Sequence, residues 1–399
     1  MRELIFSGGG TILLILFLLV ERRILLGRIR KIPLRICVAG TRGKSSVTRL
    51  IASAIREQGI PVLAKTTGSK PCLILPDGSE KEIRRRGNPT ILEAKKVLRA
   101  CTRVGIQAVV FELMSITPES LWAESVQMIQ PHILVITNVR IDHTEQMGGS
   151  RDEIARGLAA SFPEECIVFI LEGCFHPLLR ERAESSGVNL VSVPENFFDP
   201  AEVPRDMFSS LEFSENICLA LAVADYLEIE RKTALRGMSK AHSDFGSLKV
   251  WKREWGSPPI THHYVSAFAA NDPESTQKAF SKLRDQGLFE GKKVIGLLNL
   301  RGDRGDRTVQ WKNTLERKGF FRFDRILVFG EHAEAFLRRI KEPARLKLQI
   351  LDARDPAEMM SQLSILTEEE AVFVGMGNMG GAGKLLVEFW ERIGDRSDI

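Results

Sequence analysis

The sequence predicts an α/β protein: a doubly wound parallel sheet, then a second, smaller α/β domain, with an apolar helix at the N-terminus. Three observations carry that prediction. From residue 34 onward, short apolar runs rich in β-branched residues alternate with amphipathic helical stretches, the pattern of strands crossing over to parallel neighbours. The alternation fades over residues 237–248 and then restarts. A chain of 399 residues is too long for one ordinary core, so two domains are expected.

The first element is the clearest. Leu34 to Ala39 is a buried-strand run, followed by Gly40-Thr41-Arg42-Gly43-Lys44-Ser45-Ser46. Val47, Leu50, Ile51, Ala54 and Ile55 then recur at helical spacing up to Gly59. Strand, glycine turn and amphipathic helix form the context of a phosphate loop. Glycines let backbone N–H groups approach phosphate oxygens, and the helix N-terminus adds partial positive charge. In that reading Lys44 reaches the β- and γ-phosphates and the Ser45 hydroxyl sits on Mg²⁺. The spacing is the short form G-T-x-G-K-S, because Val38 stands where the longer motif has its first glycine. A chance glycine turn is the alternative, and the flanking strand and helix weigh against it.

Further along, Val62 to Lys65 is a second strand candidate, and Asp77-Gly78 marks a turn within the polar stretch 76–89. A helix is expected from Thr90 to Arg103. Gln107 to Phe111, His132 to Thr137 and Cys166 to Leu171 read as buried strands, and Asn216 to Leu227 as a helix. Ligands of such sheets bind beyond the carboxyl ends of the strands, where Gly40, Glu112 and Asn138 all fall. The stretch 237–248 reads as a linker whose glycines could flex. Beyond it, Tyr264–Phe268, Val294–Leu298, Ile326–Phe329, Leu348–Leu351 and Ala371–Val374 are strand candidates, with a helix at Pro273–Leu283. Gly375, Gly377 and Gly380 nearly spell a dinucleotide fingerprint at the last strand, and read as a close-packed turn.

Composition narrows the class. Apolar content of 44% and charged content of 27% are globular values. The net charge of +5 is modest and owes much to Arg22, Arg23, Arg28, Arg30, Lys31 and Arg35. With only two tyrosines and no interleaving of basic and aromatic residues, no nucleic-acid partner is expected. The six cysteines form no C-x-x-C pair, which points to reduced thiols in a cytosolic setting rather than disulfides or zinc.

Leu4 to Val20 is free of charged residues, at the short end for a membrane span. Glu21-Arg22-Arg23 follows in place of a small-residue cleavage site, against a signal peptide. A buried core helix is one alternative, and Gly8-Gly9-Gly10 would weaken it. A membrane anchor fits best, with the basic side cytoplasmic. The expected division is residues 1–32, anchor and basic juxtamembrane segment; 33–245, nucleotide-binding domain; and 246–399, a Rossmann-like domain.

Glu112, at a strand end, is a candidate ligand for a hard cation, with a capping role as the alternative. Asn138-Val139-Arg140-Ile141-Asp142-His143 places an amide, a carboxylate and an imidazole after a buried strand. These residues carry a resemblance. G-T-x-G-K-S, a strand-end Glu, T-N-x-x-x-D-H and Glu215-Asn216 opening a helix stand in the order seen in the Mur ligase superfamily. Lys65-Thr66-Thr67-Gly68, Pro76-Asp77-Gly78, Arg85-Arg86-Gly87, Phe111-Glu112, Ala269 to Ser275 and Asp303-Arg304-Gly305 resemble one branch, the membrane-associated ligase subunit of poly-γ-glutamate (capsule) synthase.

That resemblance implies an ATP-dependent amide ligase: a carboxylate attacks the γ-phosphate of ATP, and an amine displaces phosphate from the acyl phosphate. Gly40, Thr41, Arg42, Gly43, Lys44, Ser45 and Ser46 would hold phosphates, with Asn216 and Asn271 also contacting the nucleotide. Ser45 and Glu112 would hold one Mg²⁺, and His143 would serve a second. Lys44, Glu112, His143 and Arg304 form the implied catalytic set. Arg84 to Arg86 and the Asp303–Arg307 loop are candidates for glutamate carboxylates, which arginine suits by bidentate geometry; for Arg84 to Arg86 a solvated face is the alternative. The implied partners are glutamate, the growing poly-γ-glutamate chain and other membrane subunits of a synthase, at the cell membrane with the catalytic domains cytoplasmic. A homo-oligomer stays open.

There are departures from the family pattern. Ser150 to Phe162 contains no lysine where Mur ligases commonly carry one, and Ser266 to Asn271 lacks the usual ribose-binding acid. Two other readings remain: a folylpolyglutamate-like or other Mur-type ligase on a soluble acceptor, and a membrane-anchored ATPase subunit that ligates nothing.

Overall fold

The computed structural model describes residues 2–68, 70–85, 87–141, 144–204, 207–208, 212–317, 323–341, 347–353 and 355–396. The chain divides into two compact units: Met1–Met207 with Phe213–His242, and Phe208–Glu212 with Ser243–Ile399.

Eight strands build the sheet of the first unit. They are β1 (Leu34–Ala39), β2 (Val62–Lys65), β3 (Cys72–Ile74), β4 (Glu80–Glu82), β5 (Ala108–Glu112), β6 (Ile133–Ile136), β7 (Ile167–Leu171) and β8 (Asn189–Val193). Their order is β4-β3-β2-β5-β1-β6-β7-β8. From β2 to β8 every pairing is parallel; β3 and β4 add an antiparallel edge. β1 lies between β5 and β6, with Val38 beside Glu112 and Ala39 beside Ile136. The central strands are apolar on both faces because helices cover both sides of such a sheet. This places the ends of β1, β5 and β6, and so Gly40, Glu112 and Thr137-Asn138, side by side.

The N-terminal helix runs from Arg2 to Ile29. Ile12 to Val20 are exposed, whereas Leu25 and Ile29, with Ile32 just beyond, join the core with Ala94, Val97, Leu98 and Cys101. Among the described residues no helix is long and apolar enough to cross a membrane. The expected span is therefore unsupported. The apolar run breaks at Glu21-Arg22-Arg23, and the helix continues as part of the domain core rather than as a separate anchor. Polar contacts fix its lower half: Lys95 Nζ donates to Glu21 at 2.8 Å and Arg22 to the Gln127 carbonyl at 2.7 Å. Arg35 donates to the carbonyls of Ile29 (3.1 Å), Ile32 (2.9 Å) and Gln130 (2.9 Å), closing two helix ends at once.

Gly237 was expected to be a flexible linker position. It lies instead inside the helix Arg231–Ser239 and is buried. A Cβ there would meet Ser53 O at 2.5 Å and Glu57 Cβ at 2.7 Å, so this glycine lets that helix lie against the phosphate-loop helix Lys44–Glu57.

The second unit holds β9 (Lys249–Trp255), β10 (Ile260–Ser266), β11 (Lys293–Leu300), β12 (Arg325–Gly330), β13 (Leu348–Ile350), β14 (Ala371–Gly377) and β15 (Asp395–Arg396). The order is β13-β12-β11-β14-β10-β9-β15, parallel from β13 to β10 and antiparallel at β9 and β15. Aromatic rings fill its core: Trp390 lies within 6.0 Å, centroid to centroid, of Tyr264, Trp251 and Phe268. The three late glycines are packing devices. Side chains at Gly375 and Gly380 would run into the Phe268 ring and the Arg301 guanidinium, and Gly377 turns at φ 87° against the Asn299 backbone.

Candidate active site

The phosphate-loop stretch folds as its residue types dictate. β1 ends at Ala39, Gly40 takes φ 122°, and Gly43 (φ 78°) caps the helix Lys44–Glu57 in a left-handed conformation. Gly40 is required twice over, since a Cβ there would collide with Thr137 Oγ1. At Gly43 a Cβ would come within 2.6 Å of Asn216 Oδ1. The N-terminal turn of the helix Ser214–Tyr226 thus places Asn216, expected near the nucleotide, directly over the loop.

The loop is held from the β6 side by Asn138. Its Oδ1 accepts from Thr41 Oγ1 (2.5 Å) and from the Arg42 N–H (3.1 Å), and its Nδ2 donates to the Arg42 carbonyl (3.0 Å). Thr41 Oγ1 also accepts the Arg140 N–H at 3.3 Å. Lys44 folds back so that Nζ donates to the Gly40 carbonyl at 2.8 Å. Ser45 and Ser46 sit in the first helical turn beside it. A first turn directs N–H groups outward with a partial positive charge. The curved loop and the returning ammonium suit a polyphosphate.

On the β5 side Glu112 is buried, with 3% exposure. Its Oε2 accepts from Ser45 Oγ at 2.8 Å and from the Thr67 N–H at 2.7 Å. Ser45 and Glu112, expected as partners on sequence, are therefore in contact. Two hard oxygens at the edge of a phosphate loop suit a hard divalent ion that takes its remaining ligands from phosphate and water. Among the described residues no three His, Cys, Asp or Glu side chains gather as a metal cage. His143 and Asp142, expected at a second metal site, lie outside the described residues.

Of the arginines expected to face glutamate, Arg85 is engaged by Glu93 (2.7 and 3.2 Å), Arg84 is exposed and Arg86 lies outside the described residues. In the second unit, Arg304 precedes the helix Gly305–Glu316 after β11, and Asn271 follows β10 at φ 59°. Trp311 Nε1 donates to the Asn271 carbonyl at 3.0 Å, joining the Arg304 helix to the Asn271 turn. Beside them Asn299 Nδ2 donates to the Asn378 (2.6 Å) and Gly380 (2.9 Å) carbonyls, and Arg307 to Asn378 Oδ1 (3.3 Å).

Sequence reasoning missed the Thr67 amide, a backbone donor with no side-chain signature. It also missed Lys65 and Glu124 as buried charges near Glu112. The strand-end position of Lys65 before Thr66-Thr67 was the available signal; Glu124 offered none.

Comparison with known proteins places this geometry. Residues 38–204 match the Mur ligase middle domain, and residues 259–393 match the poly-gamma-glutamate synthase CapB C-terminal domain. The chain is 31% identical to the capsule biosynthesis protein CapB of Bacillus anthracis over 392 residues, covering 97% of this chain and 82% of that protein. It is equally 31% identical to the PGA synthase CapB of Bacillus subtilis (strain 168) over 375 residues, 93% of each. Among solved structures, the bifunctional folylpolyglutamate synthase/dihydrofolate synthase of Yersinia pestis, complexed with AMPPNP and Mn ion, superposes with a TM-score of 0.67. That match has 14% identity and covers 92% of both chains, a likeness of fold. With both halves matched by family models and two relatives aligned over more than nine-tenths of its length, the chain belongs to the CapB family of poly-γ-glutamate synthases, ATP-dependent ligases built on the Mur ligase fold.

Proposed function

We propose that this protein uses ATP to join glutamate residues through γ-linked amide bonds. A glutamate γ-carboxylate attacks the γ-phosphorus of ATP, and ADP leaves. The amine of the incoming glutamate then attacks the acyl carbon, and inorganic phosphate leaves. The observation that carries the reading is the Glu112 carboxylate, shared by Ser45 Oγ and the Thr67 amide at the lip of the phosphate loop.

The chain's own groups supply positioning and charge. Gly40 to Ser46 cradle the phosphates, and Lys44 exchanges its Gly40 carbonyl for phosphate oxygens. Asn138 keeps the loop curved. Ser45 Oγ and Glu112 are the groups that would hold Mg²⁺, which when bound offsets charge on the phosphate oxygens. Arg304 and the Asp303–Arg307 loop would receive substrate carboxylates. The substrates are glutamate and the growing chain.

We also propose that the exposed apolar stretch Ile12 to Val20 attaches the protein to the cell membrane or to membrane subunits of a synthase, with the catalytic units on the cytoplasmic side. Nine consecutive exposed apolar side chains support this, since such a surface is costly to leave in water. The deciding experiment incubates membranes carrying the protein with ATP, Mg²⁺ and labelled glutamate, followed by mass analysis. Glutamate-dependent ADP release with γ-glutamyl oligomers is expected. ADP release without any amide product would replace the ligase by an ATPase.

A further inference from the structure

The carboxylate of Glu112 stands between two segments, and each is fixed by a buried charge. On one side is the end of β2. Lys65 closes that strand, paired with Phe111 of β5, and is completely buried. Its ammonium lies 3.3 Å from Glu93 Oε2, and Glu93 is itself gripped by Arg85. Two residues further on, the Thr67 N–H reaches Glu112. On the other side, the chain leaving β5 is held by Glu124, also completely buried. Its Oε2 accepts from the N–H groups of Met114 (3.1 Å) and Ser115 (3.0 Å) and from Ser115 Oγ (2.7 Å). Burial pushes the Glu124 carboxyl up, and the Ser115 hydrogen bonds and the positive charge of Lys65 pull it partly back. The Lys65 ammonium thus acts on carboxylates from both flanks of Glu112.

We infer that Lys65 is a positioning residue for Glu112: by pinning the end of β2 it aims the Thr67 amide, and with it the Glu112 carboxylate, at Ser45. A buried ion pair is weak evidence of stabilisation in itself, because desolvation offsets the attraction. A lysine kept there is better explained by what it orients, as groups around a metal ligand commonly do. The inference rests on the reading of Glu112 as a cation ligand, and the test separates the two.

The test measures Mn²⁺ binding by electron paramagnetic resonance with ADP present, ADP binding without metal, and kcat and KM for glutamate. Lys65→Met is expected to weaken Mn²⁺ binding and lower kcat each about tenfold, the scale seen for outer partners of metal ligands. ADP affinity without metal and the KM for glutamate should stay within about twofold. Lys65→Arg should recover part of the loss. The double variant Lys65→Met/Glu93→Leu also removes the carboxylate that Lys65 pairs with directly, while Glu124 keeps its Met114 and Ser115 donors, so it should fold even where the single variant does not, and still bind Mn²⁺ weakly. Wild-type Mn²⁺ affinity in either Met variant would overturn the inference, because Lys65 would then merely neutralise Glu93. Glu112→Gln serves as the reference. If it loses Mn²⁺ while Lys65→Met keeps it, positioning alone fails; if it binds Mn²⁺ like wild type, the reading of Glu112 falls and the positioning role with it.

Discussion

Lys44 bridges the loop it belongs to, returning to the Gly40 carbonyl from the first turn of its own helix. Its ammonium is the charge that meets phosphate, and a contact that tightens in the transition state carries most weight there. Lys44→Ala should therefore lower ATP-dependent turnover by roughly 10²-fold or more, with an unchanged circular dichroism spectrum. Near-normal turnover would remove the phosphate-loop assignment. Glu112→Gln keeps one oxygen to accept from Ser45 Oγ and the Thr67 N–H but turns the other into an NH2 donor and loses the charge. Steady-state kinetics should show kcat damaged more than the KM for ATP, with partial recovery as Mg²⁺ is raised. His132 reports on pH. Partial desolvation of its ring, although the residue is exposed, and then the Arg35 guanidinium 3.0 Å from Nε2, hold its pKa below the ordinary 6.5. The unfolded chain therefore binds the extra proton first, so stability is full above about pH 6.5 and falls as pH drops toward the lowered folded value. Denaturant midpoints for wild type should fall between pH 7.5 and pH 5.5, with a shallower fall in His132→Gln. Equal slopes would assign the pH dependence to other groups.

At the scale of elements, close approach decides what each glycine can become. Gly40→Ala places a methyl on Thr137 Oγ1 at a φ of 122°, so the turn must open. Calorimetry should show nucleotide binding lost while the sheet survives. Gly237→Ala wedges two packed helices apart at a Cβ–Cα distance of 3.0 Å to Ala54, which should cost about 1–3 kcal/mol of stability by overpacking. An unchanged melting temperature would show that the helices yield freely. The same contrast explains what sequence could reveal. β1, the glycine turn and the helix after it are one local stretch, so pattern alone located them. Gly237 looked like a hinge because its neighbour, the Lys44–Glu57 helix, is far away in sequence. β9 was missed: Lys249-Val250-Trp251-Lys252-Arg253-Glu254-Trp255 mixes charges into an antiparallel strand near the sheet edge. β4 is three exposed charged residues with no apolar signal at all. Glu124 lies on a helix whose burial depends on tertiary packing, and its acidic side chain reads as a solvent face until the fold covers it.

For the whole molecule, the division into two α/β units and the family membership were readable, because parallel sheets announce themselves in apolar runs and because the motifs fall at strand ends. The N-terminal segment was readable only as an apolar stretch. Its fusion to the core through Leu25, Ile29 and Ile32 depends on helices elsewhere in the chain. If Ile12 to Val20 make the proposed attachment, deleting residues 2–20 should move the protein from the membrane to the soluble fraction with ADP binding preserved. Continued pelleting after a high-salt wash would place the attachment elsewhere.

That fusion has a mechanical consequence. A domain on a flexible leash samples a sphere, but here the exposed and the buried parts are one uninterrupted helix, Arg2–Ile29, bolted at Glu21, Arg22 and Arg35. Whatever grips Ile12 to Val20 therefore sets both the height and the compass heading of the phosphate loop. Each residue added between Val20 and Leu25 would raise the loop by about 1.5 Å and swing it by about 100°.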